Sequence, residues 1–474
     1  MTSLLLRNIS WLYTCDENDR VIEGAFVLVR DGVIADIGRE PTQHRADEEI
    51  DLAGHVVTPG MINLHHHFYQ SLTRAVPEAD RTPALEWLFT MYQFWAAVDP
   101  EAMYWGTMTA AAELLKSGAT TAVDHSYLMP GGSPDYVTAQ IDAARKLGLR
   151  FHLVRGSMVT IEANLADRLR PILGDGLDRL LDREEEILPL LESALAHTDG
   201  SKGSMLRIDL GPTGVTYAKP HLMKQMARLA EECGSGLHTH YLPRQVERDM
   251  AQTMLGMTPL ELLDRSDWLR PGTWFAHCTE VNDEEIAHFA RCGAGMCHCP
   301  RTVVRLGYQK PRVDAWRKAG ANVGVGVDGP ASNDGGSLLS DLRLAATLHR
   351  IDTGNHPGPG DWMSPYDALL LATRNAARIL NRDDIGALAV GMRADIAGFD
   401  MRKLCYVGSL ADPLGGLILA GTNPDASYTI VDGRVAVRAG TLETHSEADI
   451  IENGNRMAGR IRNAYQQRHA GGTA

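Results

Sequence analysis

His65, His66 and His67 close an apolar run from Val56 to Leu64, and a His-x-His at the end of a buried strand is a metal-ligand arrangement. Side chains two apart on a strand share a face, so His65 and His67 can converge on one ion while His66 points elsewhere. The pair alone also fits two imidazoles that satisfy each other or the backbone, and the chain has eighteen histidines. Later run ends add donors: His240 in Gly-Leu-His-Thr-His, His277 in Trp-Phe-Ala-His, and Asp328 in Val-Gly-Val-Gly-Val-Asp-Gly. Imidazoles and a carboxylate drawn from separate apolar runs are what a divalent, zinc-like ion needs.

Such residues converge only if the strands carrying them lie side by side. Short apolar runs bounded by Gly and polar residues fall near 55–67, 119–126, 150–157, 206–214, 236–240, 273–278, 293–300 and 322–329. Helical patterns separate them at 101–117, 134–147, 180–197, 220–233, 283–292 and 312–319. Eight alternating units with near-continuous apolar strands predict an α/β fold, a closed (β/α)8 barrel of the TIM type. Functional groups in that barrel sit at the C-terminal strand ends, where His65, His67, His240, His277 and Asp328 all fall. The chain ends read differently, with alternating residues around the turn signals Asp31-Gly32 and Asp432-Gly433. The expected division is 1–57 as the first part of a flanking β-sandwich, 58–385 as the barrel, and 386–474 as the second part of the sandwich with a helical tail from about 445 to 467.

With 474 residues, 44% of them hydrophobic, the chain can bury a large core. A formal charge of -14 without a basic stripe argues against nucleic acid as a partner. No apolar stretch reaches the roughly 18–20 residues that span a bilayer, and no signal-peptide pattern opens the chain, so no membrane partner and a cytoplasmic location are expected. Seven scattered cysteines fit reduced thiols. Cys297 and Cys299 share one strand face and His298 takes the other, which favours core packing over a three-ligand metal set. Arg183-Glu184-Glu185-Glu186 reads as a solvated helix face. Trp87, Phe89, Phe94 and Trp95 follow the first strand at irregular spacing, either capping a flat pocket or packing under a loop.

Four segments together resemble the amidohydrolase superfamily, in its subgroup of aminohydrolases acting on nitrogen heterocycles: Pro59 to His67, Leu237-His238-Thr239-His240, Phe275-Ala276-His277 and Val327 to Asp334. The resemblance spans nearly the whole chain. Phe68 to Ala75 and Cys297 to Pro300 resemble 8-oxoguanine deaminases, whereas Gly256 to Pro259, Ser332 to Gly336 and Asp341 to Ala346 resemble s-triazine hydrolases. It implies one divalent ion, zinc or iron, held by His65, His67, His240 and Asp328, with Asp328 moving the water's proton to the leaving group and His277 holding or polarising the hydroxide or the developing oxyanion. It also implies substrate contacts from Gln70, Trp87, His125 and Arg301, and a homodimer or higher homo-oligomer. The implied reaction is attack on a ring carbon of a purine, pterin, pyrimidine or triazine-like small molecule with loss of ammonia or an amine.

Two departures bear on the substrate. The related deaminases carry His-x-x-Glu on the fifth strand, its Glu protonating a ring nitrogen, but His240-Tyr241-Leu242-Pro243 places a proline there. Cys299-Pro300-Arg301-Thr302-Val303-Val304-Arg305 stands where those deaminases usually have Ser-Ser-Asn. Glu280, three residues beyond His277, and Glu247, seven beyond His240, are candidate replacements for the acid; each also reads as a loop carboxylate, Glu247 the more readily. The alternative activity is hydrolysis of a cyclic or acyclic amide, or of a halide or thioether ring substituent, where ring protonation matters less. A non-enzymatic binding protein is disfavoured, because every metal ligand remains.

Overall fold

A computed structural model describes residues 3–201, 203–351, 362–421 and 425–470. Eight parallel strands follow one another in sequence order: β1 (Met61–Asn63), β2 (Ala119–Ser126), β3 (Arg150–Ser157), β4 (Leu206–Pro212), β5 (Leu237–Tyr241), β6 (Thr273–His277), β7 (Gly295–His298) and β8 (Asn322–Val325). Every residue of β2 and β3 is buried, as parallel strands covered on both faces must be. The ends of the sheet meet just beyond β1 and β8: Leu64 N–H donates to the Val325 carbonyl at 3.1 Å, and Val327 N–H to Asn63 Oδ1 at 2.8 Å. Ile62, Leu64, Val123, Val154, Trp274, Cys297 and Cys299 belong to one apolar cluster. Trp274 Nε1–H is satisfied by the Leu64 carbonyl at 3.0 Å. The two cysteines are therefore core residues, while His298 meets His349 at 3.3 Å.

The helices fall close to their sequence patterns, at Pro100–Lys116, Asp135–Leu147, Pro220–Cys233 and Asp283–Cys292, the last opened by a reciprocal Asn282–Glu285 capping box. One helix is a correction to the sequence reading. Trp87, Phe94 and Trp95 lie on Ala84–Trp95, where Trp87, Met91, Phe94 and Trp95 are buried at helical spacing. Glu184, Glu185 and Glu186 occupy the first turn of Glu184–Leu195, where acidic side chains complement the helix dipole. Among the described residues no helix is long and apolar enough to cross a membrane.

Strands from both chain ends build a second, mixed sheet in the order Thr441–Leu442, Arg434–Arg438, Tyr428–Val431, Ile396–Asp400, His55–Pro59, Ser3–Tyr13, Val21–Arg30, Val33–Arg39, with Glu48–Asp51 paired to Ser3–Tyr13. Its two halves share an apolar cluster that includes Leu6, Val27, Val57, Ile396 and Ile430. Asp31-Gly32 and Asp432-Gly433 form its two-residue hairpin turns, all four residues at positive φ. The apolar run at 55–67 therefore splits: His55–Pro59 belongs to this sheet and Met61–Asn63 to the barrel. Gly60 makes the crossing against Thr120, where a Cβ would meet a side-chain carbon at 2.2 Å. The tail forms the helix Glu447–Ala470, on which Tyr465 stacks against Phe94 at 4.0 Å.

Arg150, the first residue of β3, ties the barrel to the second sheet. Its buried guanidinium uses all five N–H donors: Nε and Nη2 to Asp395 at 2.8 and 3.0 Å, Nη2 also to Asp432 at 3.1 Å, and Nη1 to the Gly203 and Ser204 carbonyls, both at 2.8 Å. Removing one partner of such a cluster leaves an uncompensated buried charge. Arg150→Met is expected to lower stability by about 3–5 kcal/mol in denaturant unfolding. An unchanged midpoint would show that the cluster does not hold the two sheets together.

Candidate active site

The C-terminal strand ends bring His65, His67, His240, His277 and Asp328 together. Ligand atoms of His65, His67 and His240 lie within 4.8 Å of one another, as do those of His65, His277 and Asp328. The hydrogen bonds on the far sides of these rings decide what the near sides present. His67 Nδ1 meets the His125 carbonyl at 2.8 Å, and His240 Nδ1 bonds the Thr213 carbonyl, so each Nδ1 carries the proton. His65 is fixed through one more ring: His238 Nδ1–H donates to the Trp274 carbonyl at 2.9 Å, making His238 Nε2 the acceptor for His65 Nδ1–H at 2.7 Å. Burial pushes all four imidazoles below their ordinary pKa, His238 down to about 3, so they are neutral.

Three Nε2 lone pairs consequently face inward. His67 Nε2 and His240 Nε2 are 3.2 Å apart, and Asp328 Oδ1 lies 3.4 Å from His65 Nε2 and 3.3 Å from His67 Nε2. His65 Nε2 is buried with no hydrogen-bond partner among the described residues. Burial alone would push the Asp328 carboxyl up; positive charge on the imidazoles of His65, His277 and His67 would outweigh it and hold the group well below the usual carboxylate range, and a bound cation would supply that charge while the rings stay neutral. Electron-rich atoms crowded without protons between them fit a divalent cation bound by nitrogen and oxygen.

Backbone geometry at the strand ends aims two of these groups. His277 (φ 75°) and Asp328 (φ 62°) both adopt the left-handed region that non-glycine residues rarely occupy. Cys278 N–H to the Tyr241 carbonyl and Asp328 N–H to the His65 carbonyl, both 3.0 Å, hold those turns. The His277 ring stacks on His240 at 5.2 Å with planes 6° apart.

A partly enclosed cavity opens over this cluster. His67, His240, His277 and Asp328 line it, with Trp87, Tyr92, Tyr127 and Tyr308 supplying aromatic surface. Gln70 lines it with a buried Oε1 that has no partner among the described residues. Trp87 is fixed by donation from Nε1 to the Ala331 carbonyl at 3.1 Å. His125 lies beneath the cluster rather than in the cavity wall, 5.0 Å ring to ring from His240 and 5.2 Å from His238, and its carbonyl orients His67.

Two residues singled out in the sequence lie elsewhere. Arg301 does not line the cavity: its Nε donates to the buried Asp341 at 2.8 Å and its Nη2 to the Gly335 carbonyl at 3.0 Å, bracing the loop after β8. Glu280 is partly exposed and also outside the lining. Partial burial raises its carboxyl, yet both oxygens lie 2.8–2.9 Å from the side-chain amide of Gln309, oriented to donate. Glu247, read as a loop carboxylate, is instead buried in the cavity wall beside Pro243, Arg244, Glu162 and Tyr217. Glu162 and Arg244 escaped the sequence reading although both follow strand ends, the signal that found the histidines. His238 was equally legible, since His238-Thr239-His240 repeats the His-x-His of β1's end.

The model of the amidohydrolase family matches residues 56–436. The chain is 36% identical over 456 residues to an 8-oxoguanine deaminase of Pseudomonas aeruginosa, covering 95% of this chain and 97% of the relative. It is 33% identical over 464 residues to a hydroxydechloroatrazine ethylaminohydrolase of a Pseudomonas species, covering 95% and 94%. An atrazine chlorohydrolase of Arthrobacter aurescens, solved in complex with zinc, superposes with a TM-score of 0.89 at 32% identity over 96% of this chain and 100% of that one. With its strand-end histidines, its barrel and a family match over most of its length, the chain belongs to the amidohydrolase family and is a hydrolase of carbon–nitrogen bonds.

Proposed function

We propose that this protein is a zinc-dependent aminohydrolase of small nitrogen heterocycles, replacing a ring-bound amino or alkylamino group with oxygen from water. The observation that carries this reading is the convergence of three Nε2 lone pairs and the Asp328 carboxylate at the base of an aromatic-walled cavity. The relatives that deaminate 8-oxoguanine and remove ethylamine from hydroxydechloroatrazine support a heterocyclic substrate. A divalent ion held by His65, His67, His240 and Asp328 supplies a Lewis acid that lowers the pKa of water toward neutrality.

The chain's own groups do the rest. Trp87, Tyr127 and Tyr308 hold a planar ring in the slot, and Gln70 offers its amide to a polar ring edge. Asp328, held as a carboxylate, takes a proton from the attacking water and returns it to the departing nitrogen, so water's oxygen bonds to the ring carbon as the carbon–nitrogen bond breaks. His277, a neutral imidazole in the cavity wall, steadies the oxygen as charge develops on it. His125 and Arg301 act as positioning residues, His125 through His67 and Arg301 through the loop after β8. Pro243 in the cavity wall supports a second reading, hydrolysis of an amide, halide or thioether, in which no ring nitrogen need be protonated. Free cysteines throughout support a cytoplasmic setting, and the exposed Leu404, Val407 and Leu410 support self-association as a homo-oligomer.

Purified protein is expected to carry about one zinc or iron per chain by elemental analysis, and His65→Ala to lose it while keeping its far-UV dichroism. Metal-free protein isolated without chelators would contradict the ligand set. Asp328→Asn is expected to lower turnover by at least about 10²-fold in an ammonia-release assay across purines, pterins, pyrimidines and triazines; wild-type turnover would move the proton to another group. Glu280→Gln is expected to keep kcat/KM within about 2-fold, since its carboxylate lies outside the cavity, and a loss of about 10²-fold would return it to the reaction.

A further inference from the structure

Loops leaving β3, β4 and β5 meet in one ionic cluster inside the cavity. Arg244 Nη2 bonds Glu162 Oε1, which also accepts from the Tyr217 hydroxyl at 3.2 Å. The same Arg244 nitrogen stays 3.7 Å from Glu247 Oε1, so the arginine is committed to Glu162 and Glu247 is held loosely. Glu247 and Ala251 form the buried face of the helix Val246–Leu255. The neighbouring Arg248 anchors that helix through Glu285, with bonds of 2.7 and 2.5 Å. A carboxyl kept at the wall of a substrate cavity without a committed cation is costly to bury unless something bound there completes its hydrogen bonds.

We propose that Glu247 determines specificity: its carboxyl O–H and C=O, side by side, take a matching edge of an uncharged heterocycle, either a ring N–H beside a carbonyl or a ring nitrogen beside an amino group. This inference rests on the heterocycle reading above and names the edge that the substrate must carry. Burial and the nearby Glu162 push the Glu247 carboxyl up, Arg244 and the Leu242 backbone amide oppose them, and the balance lies at about 8, so the group keeps its proton at neutral pH. Tyr217 and Tyr308 are the other titratable groups that face it, and burial pushes both phenols up, so they remain neutral donors. Ionisation would turn the donor–acceptor pair into two acceptors facing the ring nitrogen or carbonyl. Binding therefore weakens as pH rises through about 8.

The test compares wild-type protein, Glu247→Gln and Glu247→Leu, each with metal content measured, on a heterocycle that is turned over and on its counterpart N-methylated at the edge. Glutamine also offers a donor beside an acceptor, so Glu247→Gln is expected to keep kcat/KM within about 5-fold and to lack the wild-type decline above pH about 8. Glu247→Leu is expected to raise KM by about 10²-fold with kcat little changed, and to lose discrimination against the methylated counterpart. Two results would overturn the proposal. If Gln is as damaging as Leu, the carboxyl is needed as an ion or a proton donor; if Leu leaves KM and discrimination intact, the cluster only ties loops together. Should wild-type protein turn over no heterocycle, the function reading fails, and calorimetry with the lactam xanthine judges the edge separately. Binding to zinc-loaded wild type that weakens about 10²-fold in Glu247→Leu supports it, and equal or absent binding overturns it.

Discussion

Buried electron pairs facing one another set the terms for the rest of this molecule. The Nε2 atoms of His65, His67 and His240 and a carboxylate oxygen of Asp328 are brought within hydrogen-bonding distances with no proton to place between them. That arrangement is unfavourable until a cation joins it, and the protein holds it open from the outside. Carbonyls of His125 and Thr213 fix two tautomers, and the His238–Trp274 relay fixes the third. Positive φ at His277 and Asp328 adds local strain, which the strand-end hydrogen bonds retain.

Rigid supports make such a site possible, and they lie at the other end of the barrel. Arg150 enters β3 at its N-terminal end and binds Asp395 and Asp432 of the second sheet, so the ionic contacts that lock the two bodies are far along the strands from the cavity. The interior between is filled by Trp274, Cys297, Cys299 and their aliphatic neighbours, which leaves the cavity at the C-terminal mouth. Strand ends and loops can then vary without loosening the barrel.

The strand-end cluster was legible in the sequence because its members obey short-range rules: period two along a strand, and placement at the end of an apolar run. His65, His67 and His240, in their two His-x-His pairs, satisfy both, and His277 and Asp328 satisfy the second. What sequence could not resolve is distance across loops. Glu280 sits closer in sequence to a site histidine than Glu247 does, yet a helical turn carries Glu247 into the cavity while Glu280 faces Gln309. The resemblance implies Arg301 as a substrate contact, but Asp341, forty residues on, holds its guanidinium outside the cavity. The run at 55–67 reads as one strand because both of its halves are equally apolar, and only the partners on either side of Gly60 divide it. Helix Ala84–Trp95 was masked by aromatic residues that appear on both faces of its pattern.

The proposed chemistry requires one divalent ion among three specific ring nitrogens and one carboxylate oxygen. Anomalous diffraction from zinc-loaded crystals, recorded on both sides of the zinc edge, tests it most directly. A single strong peak is expected at about 2.0–2.3 Å from Nε2 of His65, His67 and His240 and from an Asp328 oxygen. A peak among His65 Nδ1, His125 and His238, the neighbouring group of ring nitrogens, or no peak in the barrel mouth, would contradict the tautomers on which the proposed chemistry stands.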